Sequence, residues 1–334
     1  MRLPAAHRRG RRRRRRDVLV VGLLGAAGLV LGVTSLIPGL LAQPLHAAAA
    51  SGVTSLPGGP SSLRAADPAT ALPPSPPPMS YRFADSQPAR PVDVKAQAAI
   101  LVDLDTRSVL WARDARSRRA PASLTKMMTA IVAADAAPLD RTLQVPPEAA
   151  QMEPNVMGLS AGEVLTIREL LYGLFLNSGN DAAETLARAI LPRDRFISAM
   201  NSKARQLQLS STHFSNPSGL DEADLYSSAY DLAVVAGYLS RNYPQLAAIA
   251  GTREEPMPAA PTHKAFDPWN LNKMLWSYPG TTGLKTGLTD DAGGCVAVTA
   301  TRNNRHLVAV VLHSDVFFSD AVHLLDYGFS VDPR

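Results

Sequence analysis

Residues 121–129 read PASLTKMMT, and the interpretation of the whole chain starts from this stretch. Ser123 and Lys126 stand three positions apart at the start of an apolar helical run, so a helix places both side chains on one face. The chain has 28 arginines but only 6 lysines, and this is its one Ser-x-x-Lys. Arginine keeps its proton in proteins, whereas a buried lysine can lose it and activate a hydroxyl. The stretch therefore predicts a serine nucleophile with a lysine base.

A Ser-x-x-Lys motif is also typical of a helix cap followed by a surface lysine, and two further motifs favour the catalytic interpretation. Residues 178–180 read SGN between two predicted helices, where an exposed hydroxyl and amide could relay a proton and bind a carbonyl. Residues 285–287 read KTG at the end of a predicted strand. Their ammonium and hydroxyl groups can bind a carboxylate, and Gly287 lets a substrate backbone come close. The N–H of Leu288 is a candidate oxyanion donor.

A catalytic role for Lys126 requires a strongly lowered pKa. The value must fall from about 10.4 to near or below 8, which corresponds to roughly 3–4 kcal/mol of bias against the ammonium. Burial or a nearby cation has this effect, and Lys285 is the candidate cation. We expect Lys126 to be neutral while Lys285 stays charged. Ser123 at a helix N-terminus also brings backbone N–H groups near the developing oxyanion.

The order of predicted elements indicates an α+β fold. Apolar segments separated by a turn predict a hairpin at the start, helical periodicity continues to about residue 250, and strands return after Trp276. Residues 166–169 have the form of a capping box. The hairpin must pair with the late strands to cover its edges. We therefore expect one antiparallel sheet of about five strands, flanked by helices and carrying an all-helical insertion. The predicted strands are 98–104, 108–112, 281–286, 295–301 and 306–312, and the closing helix is 318–327.

Serine and lysine followed by Lys-Thr-Gly is the pattern of penicillin-binding proteins and serine β-lactamases. The chain resembles one branch in particular, the low-molecular-weight penicillin-binding proteins, which are D-alanyl-D-alanine carboxypeptidases of serine peptidase family S11. The resemblance covers about residues 96–330 and implies a β-lactamase/transpeptidase-like fold. The blocks that carry it are 121–129, 171–183, 212–231, 281–293 and 324–329.

The resemblance implies catalytic roles for four residues. Ser123 is acylated by the penultimate D-Ala carbonyl of a peptidoglycan stem peptide, and Lys126 is the base. Ser178 and Asn180 line the site and assist proton transfer. Water then releases the shortened peptide, and no metal or cofactor is implied.

The resemblance also implies binding roles for the third motif. Lys285 and Thr286 bind the terminal D-Ala carboxylate beside Gly287, and the N–H groups of Ser123 and Leu288 bind the oxyanion. Penicillin, which mimics D-Ala-D-Ala, is expected to acylate the same serine. Many relatives carry Phe or His at the position of Leu288, which puts any role of that side chain in doubt.

The N-terminal third predicts export. Residues 1–42 combine an arginine-rich start with a nearly uninterrupted apolar run at 18–37, which predicts a signal peptide or a membrane anchor. Residues 43–94 are rich in Pro, Ala and Ser and predict a disordered linker, and 95–334 form the predicted catalytic domain. Many relatives continue into a β-rich domain and a membrane-binding helix, so here we expect residues 18–37 to provide any tether. The expected location is the outer face of the cytoplasmic membrane.

The charge distribution argues against nucleic acid as a partner. Residues 1–16 hold nine arginines, and without them the formal charge falls from +5 to −4. Cys295 is the only cysteine, which excludes an internal disulfide, and its apolar neighbours predict a buried side chain.

Three alternatives remain open on the same motifs. A serine β-lactamase needs a fast deacylating base, and Glu222 lies in a segment that resembles the carboxypeptidases instead. A DD-endopeptidase or transpeptidase would share the fold and the nucleophile. A non-catalytic penicillin-binding envelope protein would bind the drug without turnover.

Overall fold

The computed structural model describes residues 80–83 and 91–331. The strands in this part of the chain are β1 (Arg82–Phe83), β2 (Ala98–Asp103), β3 (Ser108–Arg113), β4 (Thr142–Gln144), β5 (Val164–Thr166), β6 (Thr281–Thr289), β7 (Gly293–Arg302) and β8 (Arg305–Leu312). The helices are α1 (Lys126–Ala136), α2 (Ile167–Phe175), α3 (Asn180–Ile190), α4 (Arg193–Gln206), α5 (Ala229–Asn242), α6 (Pro244–Gly251), α7 (Met274–Ser277) and α8 (Phe317–Ser330).

The main sheet confirms the predicted α+β class. Among the described residues it has six strands in the order β1-β3-β2-β8-β7-β6. The early hairpin β2–β3 joins the late strands through the antiparallel pair β2–β8. Five strands are antiparallel as predicted, and the two-residue β1 adds a parallel neighbour to β3. The separate hairpin β4–β5 was not predicted, because strands of three residues carry too little alternation to recognise.

Alternate residues of the central strands enter two different hydrophobic layers. In β2, Ile100 and Val102 face the helical block, whereas Leu101 faces α8 and packs in the layer that contains Leu324. Because successive side chains of a strand point to opposite faces, burial on both sides gives the continuous apolar sequence seen here. The helices of the insertion cover one face of the sheet, and α8 covers the other.

Helix α1 is the centre of the helical block. It packs against α2, α3, α4 and α5, and every residue from Lys126 to Ala133 is buried. A helix whose residues are buried on all sides must be surrounded by other elements in this way. Lys126 occupies the first turn of that helix, so its burial follows from the position of α1.

The predicted capping box is confirmed at the start of α2. The Thr166 hydroxyl accepts a hydrogen bond from the Glu169 N–H at 3.2 Å, and the Glu169 carboxylate accepts one from the Thr166 N–H at 2.7 Å. Two N–H groups that lack helical partners are satisfied, which fixes where α2 begins.

The predicted linker 43–94 is wrong for its described C-terminal residues. Tyr81 is 4% exposed and its hydroxyl donates to Ala233 O at 3.0 Å, while Val94 is 3% exposed. The Tyr230 hydroxyl accepts from Tyr81 N–H at 3.0 Å and donates to Tyr81 O at 3.2 Å. The folded part therefore begins before Lys95. Composition did not reveal this, because one buried tyrosine in a proline-rich stretch has no periodic signal.

No helix within residues 80–83 and 91–331 is long and apolar enough to cross a bilayer. The arginine-rich start and the apolar run 18–37 lie outside the described residues.

Candidate active site

Ser123 lies in a 3-10 turn, Ala122–Thr125, which leads directly into α1. The predicted helix from residue 123 therefore begins in its α-helical form only at Lys126. In a 3-10 turn the side chains at i and i+3 eclipse each other, which brings the pair closer than an α-helix would. The Lys126 Nζ lies 2.9 Å from the Ser123 Oγ.

The Lys126 side chain is completely buried among three hydrogen-bond partners. Besides Ser123, its Nζ contacts the Asn180 Oδ1 at 2.7 Å and the Ser218 carbonyl oxygen at 2.5 Å. Burial is the largest cause that lowers the pKa of Lys126 well below its usual value, and the charge of Lys285 is the second. The charge of Asp181 has the opposite effect and raises the pKa of Lys126. A lysine in this environment can carry a free lone pair at neutral pH.

The Ser178–Asn180 motif is buried, whereas the sequence suggested an exposed loop. Ser178 and Asn180 are each 3% exposed, and Ser178 adopts a left-handed backbone with φ of 59°. The Asn180 side chain also donates to Glu153 O at 2.8 Å. With its Oδ1 against Lys126, the amide group is held at both ends. The Ser178–Asn180 motif thus contacts Lys126 through Asn180, the first residue of α3.

Asp181 is a site residue that sequence reasoning missed. Its carboxylate accepts hydrogen bonds of 2.8–2.9 Å from the N–H groups of Met157, Gly158 and Leu159. A carboxylate in the first turn of a helix is also favoured by the helix dipole. Asp181 therefore fastens residues 157–159 beside the Ser178–Asn180 motif. The available signal was an acidic residue directly after that motif.

The third motif lies on β6, an edge strand of the described sheet. Lys285 is 1% exposed, and its Nζ donates to Thr286 O at 3.0 Å. Burial lowers the pKa of Lys285 to about 7. The expectation that Lys285 stays fully charged therefore needs correction for the protein without a bound anion. Its ammonium is fully protonated only below that pH.

Two glycines press the rest of the site against the nucleophile turn. A Cβ at Gly287 would lie 2.9 Å from Ser123 N, and a Cβ at Gly219 would lie 2.0 Å from Ala122 O. Gly219 also has φ of +88°. Only glycine permits such a close approach of two backbones. These contacts bring β6 and the turn that contains Ser218 against the backbone of Ala122 and Ser123.

The remaining residues of β6 and β7 have contrasting environments. Leu288 is 72% exposed, so its side chain points to solvent directly after the Lys-Thr-Gly motif. Cys295 is buried as predicted, and burial raises the pKa of its thiol to about 11. A thiol with that pKa is not a nucleophile at neutral pH.

The arrangement has the parts needed for acyl transfer. Ser123 supplies a hydroxyl, the buried Lys126 supplies a base, and Lys285 with Thr286 supplies a cation and a hydroxyl on the adjacent strand. Residues of all three motifs meet here, because Asn180 contacts Lys126 and Gly287 lies against the turn that carries Ser123. Sequence reasoning missed the Ser218 carbonyl, because a backbone oxygen has no residue-type signal.

Most of the described part of the chain is similar to known D-alanyl-D-alanine carboxypeptidases. The model of the family described as D-alanyl-D-alanine carboxypeptidase, peptidase S11, matches residues 83–316. The D-alanyl-D-alanine carboxypeptidase DacF of Bacillus subtilis is 35% identical over 71% of this chain and 62% of its own length. DacB2 of Mycobacterium tuberculosis is 36% identical over 75% of this chain and 89% of its own length. The chain thus spans less than two thirds of the Bacillus relative.

Solved structures of such enzymes are also similar to this chain. The crystal structure of a D-alanyl-D-alanine carboxypeptidase from M. tuberculosis superimposes with a TM-score of 0.69 at 36% identity, covering 75% of this chain and 98% of that one. The Streptomyces K15 DD-transpeptidase superimposes with a TM-score of 0.67 at 29% identity, covering 72% and 98%. From the extent of the family match and the full set of motifs, the chain belongs to the D-alanyl-D-alanine carboxypeptidase family of serine peptidases, peptidase S11.

Proposed function

We propose that the protein is a serine-type D-Ala-D-Ala carboxypeptidase that removes the terminal D-alanine of peptidoglycan stem peptides. The observation that carries the proposal is the contact of 2.9 Å between the Ser123 hydroxyl and a fully buried Lys126 amine. Family membership supports the reaction class. The exposed flank of the site at Leu288 is consistent with a polymeric substrate that approaches from solvent.

Acylation begins with the neutral Lys126 amine. It takes the proton of the Ser123 hydroxyl while Oγ bonds to the penultimate D-Ala carbonyl carbon. The N–H groups of Ser123 and Leu288 stabilise the oxyanion. The C–N bond then breaks, and the proton passes to the departing D-alanine amine, assisted by Ser178. Asn180 holds the lysine in place through the 2.7 Å contact.

Substrate recognition depends on the terminal carboxylate. Lys285 and Thr286 present an ammonium and a hydroxyl on β6, next to the glycine that lies against Ser123 N. A bound carboxylate compensates the buried ammonium and so favours its protonated form. This requirement selects peptides that end at the D-alanine to be removed.

Water completes the cycle by hydrolysing the ester on Ser123. The same Lys126 amine takes a proton from the attacking water, and Oγ leaves with a proton. β-Lactam antibiotics acylate Ser123 in the same way, and slow hydrolysis of that ester makes them inhibitors.

The substrate places the protein in the bacterial cell envelope. Residues 1–42 direct export and, where they are not cleaved, tether the protein at the outer face of the cytoplasmic membrane.

A stem-peptide digest tests the proposal with the full chain. Free D-alanine should be released, and a fluorescent penicillin should label Ser123 in the native protein and not in Ser123→Ala. Addition of an acceptor amine separates the transpeptidase alternative, because a transpeptidase forms a new amide. Cleaved cross-links indicate an endopeptidase, and rapid turnover of penicillin indicates a β-lactamase. Absence of both D-alanine release and labelling would refute the proposal.

A further inference from the structure

The turn after Pro217 is held by one buried asparagine. The Asn216 Oδ1 accepts hydrogen bonds from the N–H groups of Ser218 at 3.1 Å and Gly219 at 2.7 Å, and from the Ser218 hydroxyl at 3.1 Å. Its Nδ2 donates to Leu220 O at 2.9 Å. Asn216 is 2% exposed, so these bonds are shielded from water. The four contacts leave the turn little freedom.

The same turn is also attached to the helix that carries the base. The Thr129 hydroxyl on α1 donates to Pro217 O at 2.7 Å. One residue later, the Ser218 carbonyl oxygen faces the Lys126 Nζ at 2.5 Å. Thr129 and Lys126 are three positions apart on α1, so both project towards the turn. The position of the Ser218 carbonyl relative to α1 is therefore fixed from two directions.

The number of hydrogens on the Lys126 amine shows the role of the Ser218 carbonyl. A neutral amine has two hydrogens and one lone pair, and it has three partners here. The Asn180 Oδ1 and the Ser218 carbonyl oxygen can only accept hydrogen bonds. They therefore take both hydrogens, and the lone pair is left for Ser123. The Ser123 hydroxyl must then be the donor, which is the direction that proton abstraction requires.

We infer that Asn216 is a positioning residue for the general base, acting through the Ser218 carbonyl. It holds the second obligate acceptor of the Lys126 amine and so directs the amine lone pair at the Ser123 hydroxyl. The inference rests on the proposed acylation of Ser123. When Asn216 is removed, the turn relaxes and one amine hydrogen becomes free to point at the Ser123 Oγ. The lone pair is then directed away from the proton it must take.

The readout that distinguishes positioning from structural support is the acylation rate. Penicillin acylation divides into reversible binding, governed by Lys285 and Thr286, and a first-order step, governed by Lys126. Asn216→Ala should lower the first-order rate by at least about 30-fold and change the binding constant less than about threefold. Asn216→Asp keeps the three accepting contacts but loses the donor to Leu220 O, so it should recover only part of the rate. Its added negative charge near Lys126 should raise the pKa of the amine and move the acidic limb of the rate profile to higher pH.

Asn201→Ala is the matched control. The Asn201 amide holds the same segment two residues earlier, through bonds of 2.9 Å from Phe214 N and 2.7 Å to Phe214 O. It should lower the thermal midpoint while the first-order rate stays within about twofold of the native value. The native chain is assayed in parallel, so a failure of the proposed function appears as an absence of acylation there.

Two outcomes would overturn the inference, provided that the native protein is itself acylated by penicillin in the parallel assay. One is a folded Asn216→Ala whose first-order rate stays within about twofold of the native rate. If the alanine variant does not fold, the aspartate variant decides. A rate below that of the native protein with an acidic limb at higher pH supports the inference, and an unchanged pH profile overturns it.

Discussion

Lys126 and Lys285 are buried lysines of one site, and the charge of Lys285 is second only to burial among the causes that lower the pKa of Lys126. Burial lowers the pKa of both amines, and the charge of Lys285 lowers that of Lys126 further. In the proposed mechanism Lys126 acts as a base when it is neutral, and Lys285 binds an anion when it is charged. Exchanging either lysine for arginine tests this division, because arginine remains protonated in proteins.

Lys126→Arg should abolish acylation, whereas Lys285→Arg should preserve part of it. A guanidinium at position 126 has no lone pair to offer, and loss of a general base costs about 10²- to 10⁴-fold. A guanidinium at position 285 still presents a cation to the carboxylate. The measurement is the rate of penicillin labelling at Ser123, with thermal unfolding as the control for folding. A normal labelling rate in Lys126→Arg would contradict the assignment of the base.

The pH dependence of kcat/KM should show the titration of Lys285. Burial lowers its pKa to about 7, so the ammonium is present below that pH and is lost as the pH rises through it. Because kcat/KM reports ionisations of the free enzyme, it should fall about tenfold per pH unit above the pKa. In Lys285→Arg this alkaline fall should disappear. If the fall persists unchanged in the arginine variant, another group is responsible for it.

Gly219→Ala should disable the site more than Gly162→Ala does. Both glycines have a positive φ, +88° and +86°, so the backbone strain from an added Cβ is similar. At Gly219 the Cβ would lie 2.0 Å from Ala122 O, whereas at Gly162 the nearest atom is the Gln144 Nε2 at 3.9 Å.

We expect about 1 kcal/mol of lost stability from the strain at either position and a further 1–3 kcal/mol from overpacking at Gly219. Urea unfolding and the labelling rate at Ser123 measure the two effects. Equal behaviour of the two variants would show that the contact with the nucleophile turn is unimportant.

Tyr81→Ala should destabilise the domain by about 3–5 kcal/mol, because truncation of a buried aromatic ring leaves a cavity. Phe83→Ala, at an exposed ring two residues away, should cost less than about 1 kcal/mol. The exposed fractions of the two side chains are 4% and 46%. Urea unfolding of the two variants provides the comparison. Similar losses would mean that Tyr81 does not belong to the cooperative unit.

The fold was predictable where the pattern is local. Strands β2, β3, β7 and β8 have uninterrupted apolar runs, and the Thr166 capping box marks a helix start by residue type alone. Their pairing followed from the need to cover the edges of the hairpin. The two-residue β1 was not predictable, because two residues carry no alternation and its pairing with Ser108 and Val109 forms only in the folded domain.

The site was predictable in its residues and less so in its environment. Ser123, Lys126 and Asn180 converge as expected, because side-chain chemistry and spacing identify them. The burial of Ser178 and the lowered pKa of Lys285 depend on how the surrounding elements pack in the folded protein, which a motif does not encode. The Ser218 carbonyl depends on the conformation of a turn. Backbone groups such as this carbonyl contact the reactive side chains, but no residue type in the sequence identifies them.

Strand β1 has a consequence for self-association. An unpaired strand edge offers free N–H and C=O groups to which a second chain can add, and natural proteins protect such edges. Arg82–Phe83 pairs with Ser108 and Val109 on the outer side of β3, so these two positions are no longer open to an intermolecular strand. The exposed Arg82 places a charge at the new boundary. The segment that leads into the domain therefore also guards it against aggregation at this edge.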